Sequence, residues 1–100
     1  VIVHLGTNGE GRLSSYLSVI DSIGPDRRIY WVTVHGVAWA GAANANIRAA
    51  ASQRGNVHVI DWDAYASSHA SESWFYSDGI HLQPEARRAY TELIKSSCGL

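Results

Sequence analysis

Apolar and polar positions follow two different periods along the chain, which predicts strands separated by helices. Residues 1–5 form a nearly continuous apolar run that ends at Gly6, as expected of a parallel strand buried on both faces. Residues 28–35 are rich in β-branched and aromatic side chains and end at Gly36, which predicts a second strand. Residues 57–60 form a third predicted strand.

Helical spacing of apolar side chains predicts a helix after the first strand, over residues 10–23, and another after the second, over residues 41–53. Residues 62–77 are polar and aromatic without a sustained period, so we expect a long loop that could contain a helical turn. Residues 84–99 begin with a proline suited to a first turn, continue at helical spacing and end in glycine, which predicts the last helix.

Strands that alternate with helices predict an α/β fold, a three-layer α/β/α arrangement around a parallel sheet. In such sheets, functional loops lie at the carboxyl ends of the strands. We therefore expect the motifs at those ends, together with the residues that precede the last helix, to meet at one edge of the sheet. These motifs are Gly6-Thr7-Asn8, His35-Gly36, Asp61-Trp62, Asp78 and His81.

Composition limits the class of protein and of partner. The 100 residues suit one domain, and 46% apolar with 17% charged residues is ordinary for a globular segment. A net charge of −1 with scattered basic residues argues against a nucleic-acid surface, so the partner should be small or neutral. The single cysteine, Cys98, excludes an internal disulfide. Because the chain starts within a predicted strand and contains no methionine, we expect it to be the C-terminal part of a longer protein.

Asp78 and His81 have the spacing of an oriented base. Gly79 lets the backbone turn, so that the carboxylate can accept a hydrogen bond from Nδ1 and leave Nε2 facing a substrate. The carboxylate would then fix the tautomer and stabilise the imidazolium that forms during proton transfer. The alternative is that Asp78 caps the last helix and His81 is a surface histidine.

Asn8 follows a strand and a glycine, where its amide could donate a hydrogen bond to a developing oxyanion. The alternative is a turn residue, because Asn-Gly is a strong turn signal.

The remaining histidines and carboxylates predict structure rather than a metal site. His4 and His58 fall within predicted strands, so we expect hydrogen-bonded core histidines, and Asp61 should cap the turn that follows its strand. For Trp74 to Tyr76, a substrate wall and simple loop packing are both open.

Two segments carry a resemblance to a known family. Val-Ile-Val-His-Leu-Gly-Thr-Asn-Gly near the start and Asp-Gly-Ile-His-Leu-Gln-Pro-Glu near the end resemble the third and fifth sequence blocks of the SGNH hydrolases, also called the GDSL esterase/lipase superfamily. The segment 57–62 resembles the strand before the fifth block in one branch. That branch is the extracytoplasmic SGNH domain of membrane-bound acyltransferases that O-acetylate cell-wall polysaccharide.

The resemblance implies a flavodoxin-like SGNH fold in which this chain, residues 1–100, is the C-terminal portion and the N-terminal strands are missing. It implies that Asn8 supplies a side-chain donor of the oxyanion hole, that Asp78 orients the base, and that His81 is the general base and acid. The family's nucleophilic serine and its second-block glycine have no counterpart in the chain. We therefore expect the isolated fragment to be inactive.

The resulting hypothesis is a serine esterase or O-acyltransferase that acts on short acyl esters, such as acetyl esters of carbohydrate, without a metal or organic cofactor. The resemblance implies that the parent protein acts in the cell envelope and that upstream segments could anchor it to the membrane. A non-catalytic carbohydrate-binding or flavodoxin-like interaction module is the alternative. In that case the aromatic loop would bind ligand, and Asp78 and His81 would only cap the helix.

Overall fold

The computed structural model describes residues 1–7, 9 and 11–100, and within them a three-stranded parallel sheet. Strand β1 covers Ile2–Val3, β2 covers Ile29–Val32 and β3 covers Val57–Ile60, in the order β1-β2-β3. Asn8 and Glu10 lie outside the described residues. Within the described ranges, four helices connect and follow the strands: α1 (Leu13–Ile23), α2 (Ala40–Gln53), α3 (Trp62–Ser68) and α4 (Pro84–Cys98).

Side chains of β2 alternate between two hydrophobic clusters because successive residues of a strand point to opposite faces. Ile29 and Trp31 join a cluster that includes the buried faces of α1 and α2. Tyr30 and Val32 join a second cluster formed with α3, α4 and the loop between them. Helices therefore cover both faces of the sheet, and the predicted α/β fold with a parallel sheet is confirmed.

Both β1 and β2 are shorter than their apolar runs predict. Strand β2 ends at Val32, although the run continues to residue 35. The reason is visible at Val34, whose N–H donates to Oδ1 of Asn44 at 2.7 Å and whose carbonyl accepts from Nδ2 of Asn44 at 2.9 Å. A buried side chain thus satisfies the backbone groups that a neighbouring strand would otherwise pair. In β1, Ile2 is paired with Tyr30 and Val3 with Trp31 of β2.

Helix α3 is longer than the single helical turn that we expected within the predicted loop over residues 62–77. It is seven residues long and begins where Asp61 accepts a 3.1 Å hydrogen bond from the backbone N–H of Ala64. Trp62 and Ala66, one helical turn apart, are both buried. A helix of two turns offers too few positions for a period to emerge from the sequence, so tertiary packing of these two residues decides the outcome. The predicted capping role of Asp61 is confirmed.

Helix α4 confirms the predicted last helix. Pro84 occupies its first turn, where the missing N–H costs nothing, and Gly99 ends it in the left-handed conformation with φ of 76°. Among the described residues, no helix has the length and apolar character needed to cross a bilayer.

Candidate active site

A cleft of about 300 Å³ opens where the predicted motifs meet. Its lining comes from the segment after β1, the end of β2, the start of α3, the loop before α4, and α4 itself. The lining residues are His4, Thr7, His35, Trp62, Ile80, His81, Leu82 and Tyr90. The sequence motifs at the ends of β1 and β2 therefore face the same space as the segment before the last helix.

A hairpin-like loop carries Asp78 and His81. Its two arms are joined by hydrogen bonds from Tyr76 N–H to the His81 carbonyl, 2.9 Å, and from Gln83 N–H to the Trp74 carbonyl, 2.7 Å. Because both ends of the loop are tied together beside α4, its tip has a defined position at the cleft.

The carboxylate of Asp78 holds the His81 ring through a hydrogen bond from Nδ1 to Oδ2. Its other oxygen, Oδ1, accepts from the backbone N–H of Ile80 at 2.8 Å and of His81 at 3.0 Å. The hydrogen bond from His81, followed by the backbone N–H groups of Ile80 and His81, lowers the pKa of Asp78 to about 2. The carboxylate is therefore ionised at neutral pH and leaves Nε2 of His81 available to a substrate.

The capping alternative for Asp78 does not match this geometry. The N-cap residue of α4 is Gln83, and no side-chain hydrogen bond caps the helix. Asp78 instead makes its hydrogen bonds inside its own loop. The side chain of His81 is 78% exposed, so the second ring nitrogen is accessible to a ligand.

The proposed oxyanion donor, Asn8, lies outside the described residues, and its role stays a prediction. Of the two residues before it, Thr7 lines the cleft, and the carbonyl of Gly6 accepts a 2.6 Å hydrogen bond from the indole N–H of Trp39. Gly6 has φ of 118°, and a Cβ there would lie 2.9 Å from Cγ2 of Val34. The segment that leads to Asn8 is thus fixed against the core on the cleft side.

Gly36 fixes the distance between the end of β2 and the His81 loop. Its φ is 88°, and a Cβ at this position would lie 2.0 Å from the carbonyl oxygen of Gly79.

We expect Gly36→Ala to destabilise the fold by more than about 2 kcal/mol, since it combines left-handed strain with a backbone clash. Denaturant unfolding of the protein measures this. Gly41→Ala is the matched control: Gly41 lies in α2 with open space around it, so alanine should be neutral or slightly stabilising. Equal midpoints for the two variants would contradict the packing role of Gly36.

The histidines at positions 4 and 58 are exposed, so the prediction of core histidines was wrong for both. Nδ1 of His4 lies 2.6 Å from the hydroxyl of Tyr90, and the two rings stack in the wall of the cleft. Although part of the ring reaches solvent, surrounding protein atoms disfavour the charged form and lower the pKa of His4. The same burial raises the pKa of Tyr90. This pair presents neutral polar groups to the cleft.

Sequence reasoning missed a second carboxylate–imidazole pair. His35 and Asp63 are 28 residues apart and form a 2.8 Å hydrogen bond between Nδ1 and Oδ1. The only available signal was that both follow strand ends. Within the described part of the chain, no group of three or more His, Cys, Asp or Glu side chains is arranged to hold a metal ion.

The aromatic loop is mostly packing. Trp74 is buried and stacks nearly parallel on Trp62, with ring centroids 5.9 Å apart. Of the two interpretations left open for residues 74–76, packing therefore describes Trp74, whereas Tyr76 is exposed. Trp62 belongs both to the hydrophobic cluster that contains Trp74 and to the lining of the cleft.

The chain is similar to three named acetyltransferases. It is 38% identical over 95 residues to O-acetyltransferase OatA of Staphylococcus aureus, an alignment that covers 94% of this chain. It is 36% identical over 100 residues, 96% of the chain, to peptidoglycan O-acetyltransferase OatA of Listeria monocytogenes. It is 32% identical over 95 residues, 94% of the chain, to putative peptidoglycan O-acetyltransferase YrhL of Bacillus subtilis.

These alignments cover only 14 to 15% of the length of the curated relatives. A scan against models of known protein families finds no match.

Proposed function

We propose that this chain is part of an O-acetyltransferase that moves an acetyl group onto cell-wall polysaccharide by a serine mechanism of the SGNH type. The observation that carries the proposal is the Asp78–His81 pair at the cleft, with Nδ1 held and Nε2 accessible. The similarity to O-acetyltransferase OatA and peptidoglycan O-acetyltransferase OatA supports an acetyl group as the group transferred and peptidoglycan as the substrate. It also supports a place of action in the cell envelope.

The nucleophile in this proposal is a serine from polypeptide outside these 100 residues, because no serine is among the residues that line the described cleft. Nε2 of His81 takes the proton of that serine, and the serine oxygen attacks the carbonyl carbon of an acetyl ester. The carbonyl π electrons move onto oxygen, and the side-chain amide of Asn8 donates a hydrogen bond to this oxyanion.

Collapse of the tetrahedral intermediate breaks the bond to the leaving alkoxide, which receives the proton from His81. The acetyl group then remains on the serine. A polysaccharide hydroxyl enters next, loses its proton to Nε2 of His81 and attacks the acetyl carbonyl. Return of that proton to the serine oxygen restores the enzyme and releases the acetylated product. Throughout, Asp78 stabilises the imidazolium.

The lining of the cleft suits an uncharged, hydroxyl-rich acceptor. Thr7 and Tyr90 offer hydroxyl groups, and the faces of Trp62, Ile80 and Leu82 are apolar. Apart from histidine, none of the described lining residues is charged. Such a mixture of hydrogen-bonding groups and apolar faces is typical of sites that bind neutral sugars.

The full-length protein, incubated with 4-nitrophenyl acetate and quenched, should carry one acetyl group on a serine, detected by peptide mass spectrometry. His81→Ala should not accumulate it. Binding of acetylated glycan without any acetyl-protein would instead favour the non-catalytic carbohydrate-binding module. The hydrogen bond between Asp78 and His81 favours the enzyme hypothesis. The binding-module hypothesis requires Asp78 to cap α4, and no side-chain hydrogen bond caps that helix.

Asn8→Ala in the full-length protein should lower kcat by about 100- to 1000-fold with KM little changed, since one oxyanion donor is lost. Steady-state kinetics with a soluble acetyl ester measure both constants. Gln53→Ala, which removes an exposed side-chain amide at the end of α2, is the matched control and should retain full activity. A loss below about threefold for Asn8→Ala would identify Asn8 as a turn residue only.

A further inference from the structure

His35 is a second imidazole that a carboxylate holds in the same cleft. Its Nδ1 donates to Oδ1 of Asp63 at 2.8 Å, and its ring stacks on Phe75 with centroids 4.8 Å apart. Both contacts restrain the plane of the ring. Nε2 is then the polar atom of His35 that remains for a ligand, and His35 lines the cleft together with His81.

A partly buried network fixes Asp63 in turn. Oδ2 of Asp63 accepts a 3.2 Å hydrogen bond from Nδ2 of Asn44, and the Asp63 N–H donates to Oγ1 of Thr33 at 2.9 Å. The oxygen and nitrogen of the Asn44 side-chain amide cannot exchange places without loss of a hydrogen bond, because Oδ1 accepts from the N–H of Val34 at 2.7 Å. Asn44 is only 4% exposed. Asn44 and Thr33 thus hold Asp63, and Asp63 sets the tautomer of His35.

This tautomer determines which ligand groups His35 can bind. With the proton on Nδ1, Nε2 carries a lone pair and accepts hydrogen bonds. An ester carbonyl or an oxyanion has no hydrogen to offer, whereas an alcohol does. The groups that His35 favours are therefore hydroxyls of the acceptor rather than the acyl group of the donor.

His35 and His81 are also brought close by the backbone. Gly36, next to His35, approaches Gly79 so tightly that a Cβ would lie 2.0 Å from the Gly79 carbonyl oxygen. Gly79 belongs to the turn between Asp78 and His81. Because both imidazoles also line the same cleft, we expect one sugar chain to reach both of them.

From these contacts we propose that His35 is an acceptor-binding residue: its Nε2 accepts a hydrogen bond from a second hydroxyl of the sugar whose reacting hydroxyl faces His81. This inference rests on the proposed function for the identity of the reacting hydroxyl. The binding of a sugar hydroxyl by His35 is itself measurable without any turnover.

The test is binding of chitotetraose to the full-length protein, measured by isothermal titration calorimetry. Two substitutions of His35 each replace one of the two ring nitrogens and lose the other. In His35→Asn, the side-chain nitrogen takes the position of Nδ1 and keeps the bond to Asp63, but nothing replaces Nε2. In His35→Gln, the longer amide reaches the position of Nε2 and offers an oxygen to a hydroxyl. We expect His35→Asn to weaken Kd about fivefold and His35→Gln to stay within about twofold of wild type.

His58→Asn is the matched control, because His58 is exposed on β3 and does not line the cleft. It should bind as wild type does. In the transfer reaction, His35→Asn should raise KM for chitotetraose more than it lowers kcat, a split that a purely structural role would not give. Thermal unfolding of both His35 variants separates loss of binding from loss of fold.

Three results would overturn the proposal: no binding of chitotetraose by the wild type, wild-type affinity in His35→Asn, or equal losses in the Asn and Gln variants. Failure of the proposed function has a different signature. In that case 4-nitrophenyl acetate leaves no acetyl-serine, although the difference between the two His35 variants in chitotetraose binding persists.

Discussion

Replacing His81 by alanine in the full-length protein should lower kcat for acetyl transfer by about 10⁶-fold, the scale expected when the histidine of a triad is removed. The imidazole is the only group in the proposed mechanism that takes the proton from the serine and later from the acceptor. Its ring is exposed and makes its main contact with Asp78, so removing it leaves no cavity in the core. Steady-state transfer rates, with thermal unfolding as a check on folding, measure the effect.

Free imidazole provides a second readout for His81→Ala. It can diffuse into the space left by the side chain and should restore part of the activity, which a misfolded variant would not show. His58→Ala removes another exposed histidine, on β3 and outside the cleft, and should retain full activity. Loss of less than about tenfold in His81→Ala would exclude His81 as the general base.

The local part of the site was predictable because its residues are close in sequence. Asp78 and His81 are three residues apart with Gly79 between them, so backbone geometry alone brings carboxylate and ring together. The pair His35–Asp63 joins the segment after β2 to the first turn of α3, and no local pattern fixes that distance. Sequence reasoning could place both at the same edge of the sheet, but not in contact.

The elements show the same division between local and tertiary control. Helix α4 has a proline at its start, a glycine at its end and a clear period, so its bounds could be predicted. The end of β2 could not, because it depends on the amide of Asn44, which binds the backbone of Val34 ten residues earlier. Helix α3 depends on two buried side chains in a seven-residue segment, and its sequence carries no sustained period.

These tertiary contacts also connect the fold to the proposed chemistry. Asn44 satisfies the backbone of Val34 and, through the same amide nitrogen, reaches Asp63. The residue that ends β2 is therefore also the residue that orients the carboxylate behind His35. Because the backbone leaves the sheet after Val32, residue 35 is no longer part of the strand, and its imidazole lies at the cleft.

Asp78→Asn should lower kcat by about 10⁴-fold, less than loss of the histidine, while the loop keeps its shape. The amide oxygen can still accept from the N–H groups of Ile80 and His81, as Oδ1 does in the wild type. The amide nitrogen, however, faces Nδ1 of His81 with hydrogens and forces the ring proton onto Nε2. A protonated Nε2 cannot take the proton of a serine.

The pH dependence of stability gives an independent check on Asp78. Its pKa falls from 3.8 to about 2 in the folded protein, chiefly through the hydrogen bond from His81. A lowered folded-state pKa stabilises the protein above the ordinary pKa, and this contribution disappears as pH falls from about 4 to about 2. The small difference in unfolding midpoint between wild type and Asp78→Asn should thus be present at pH 7 and vanish near pH 2. Kinetics and unfolding together separate the roles: a loss in kcat of less than about tenfold, with the midpoint difference intact, would make Asp78 a loop-stabilising residue only.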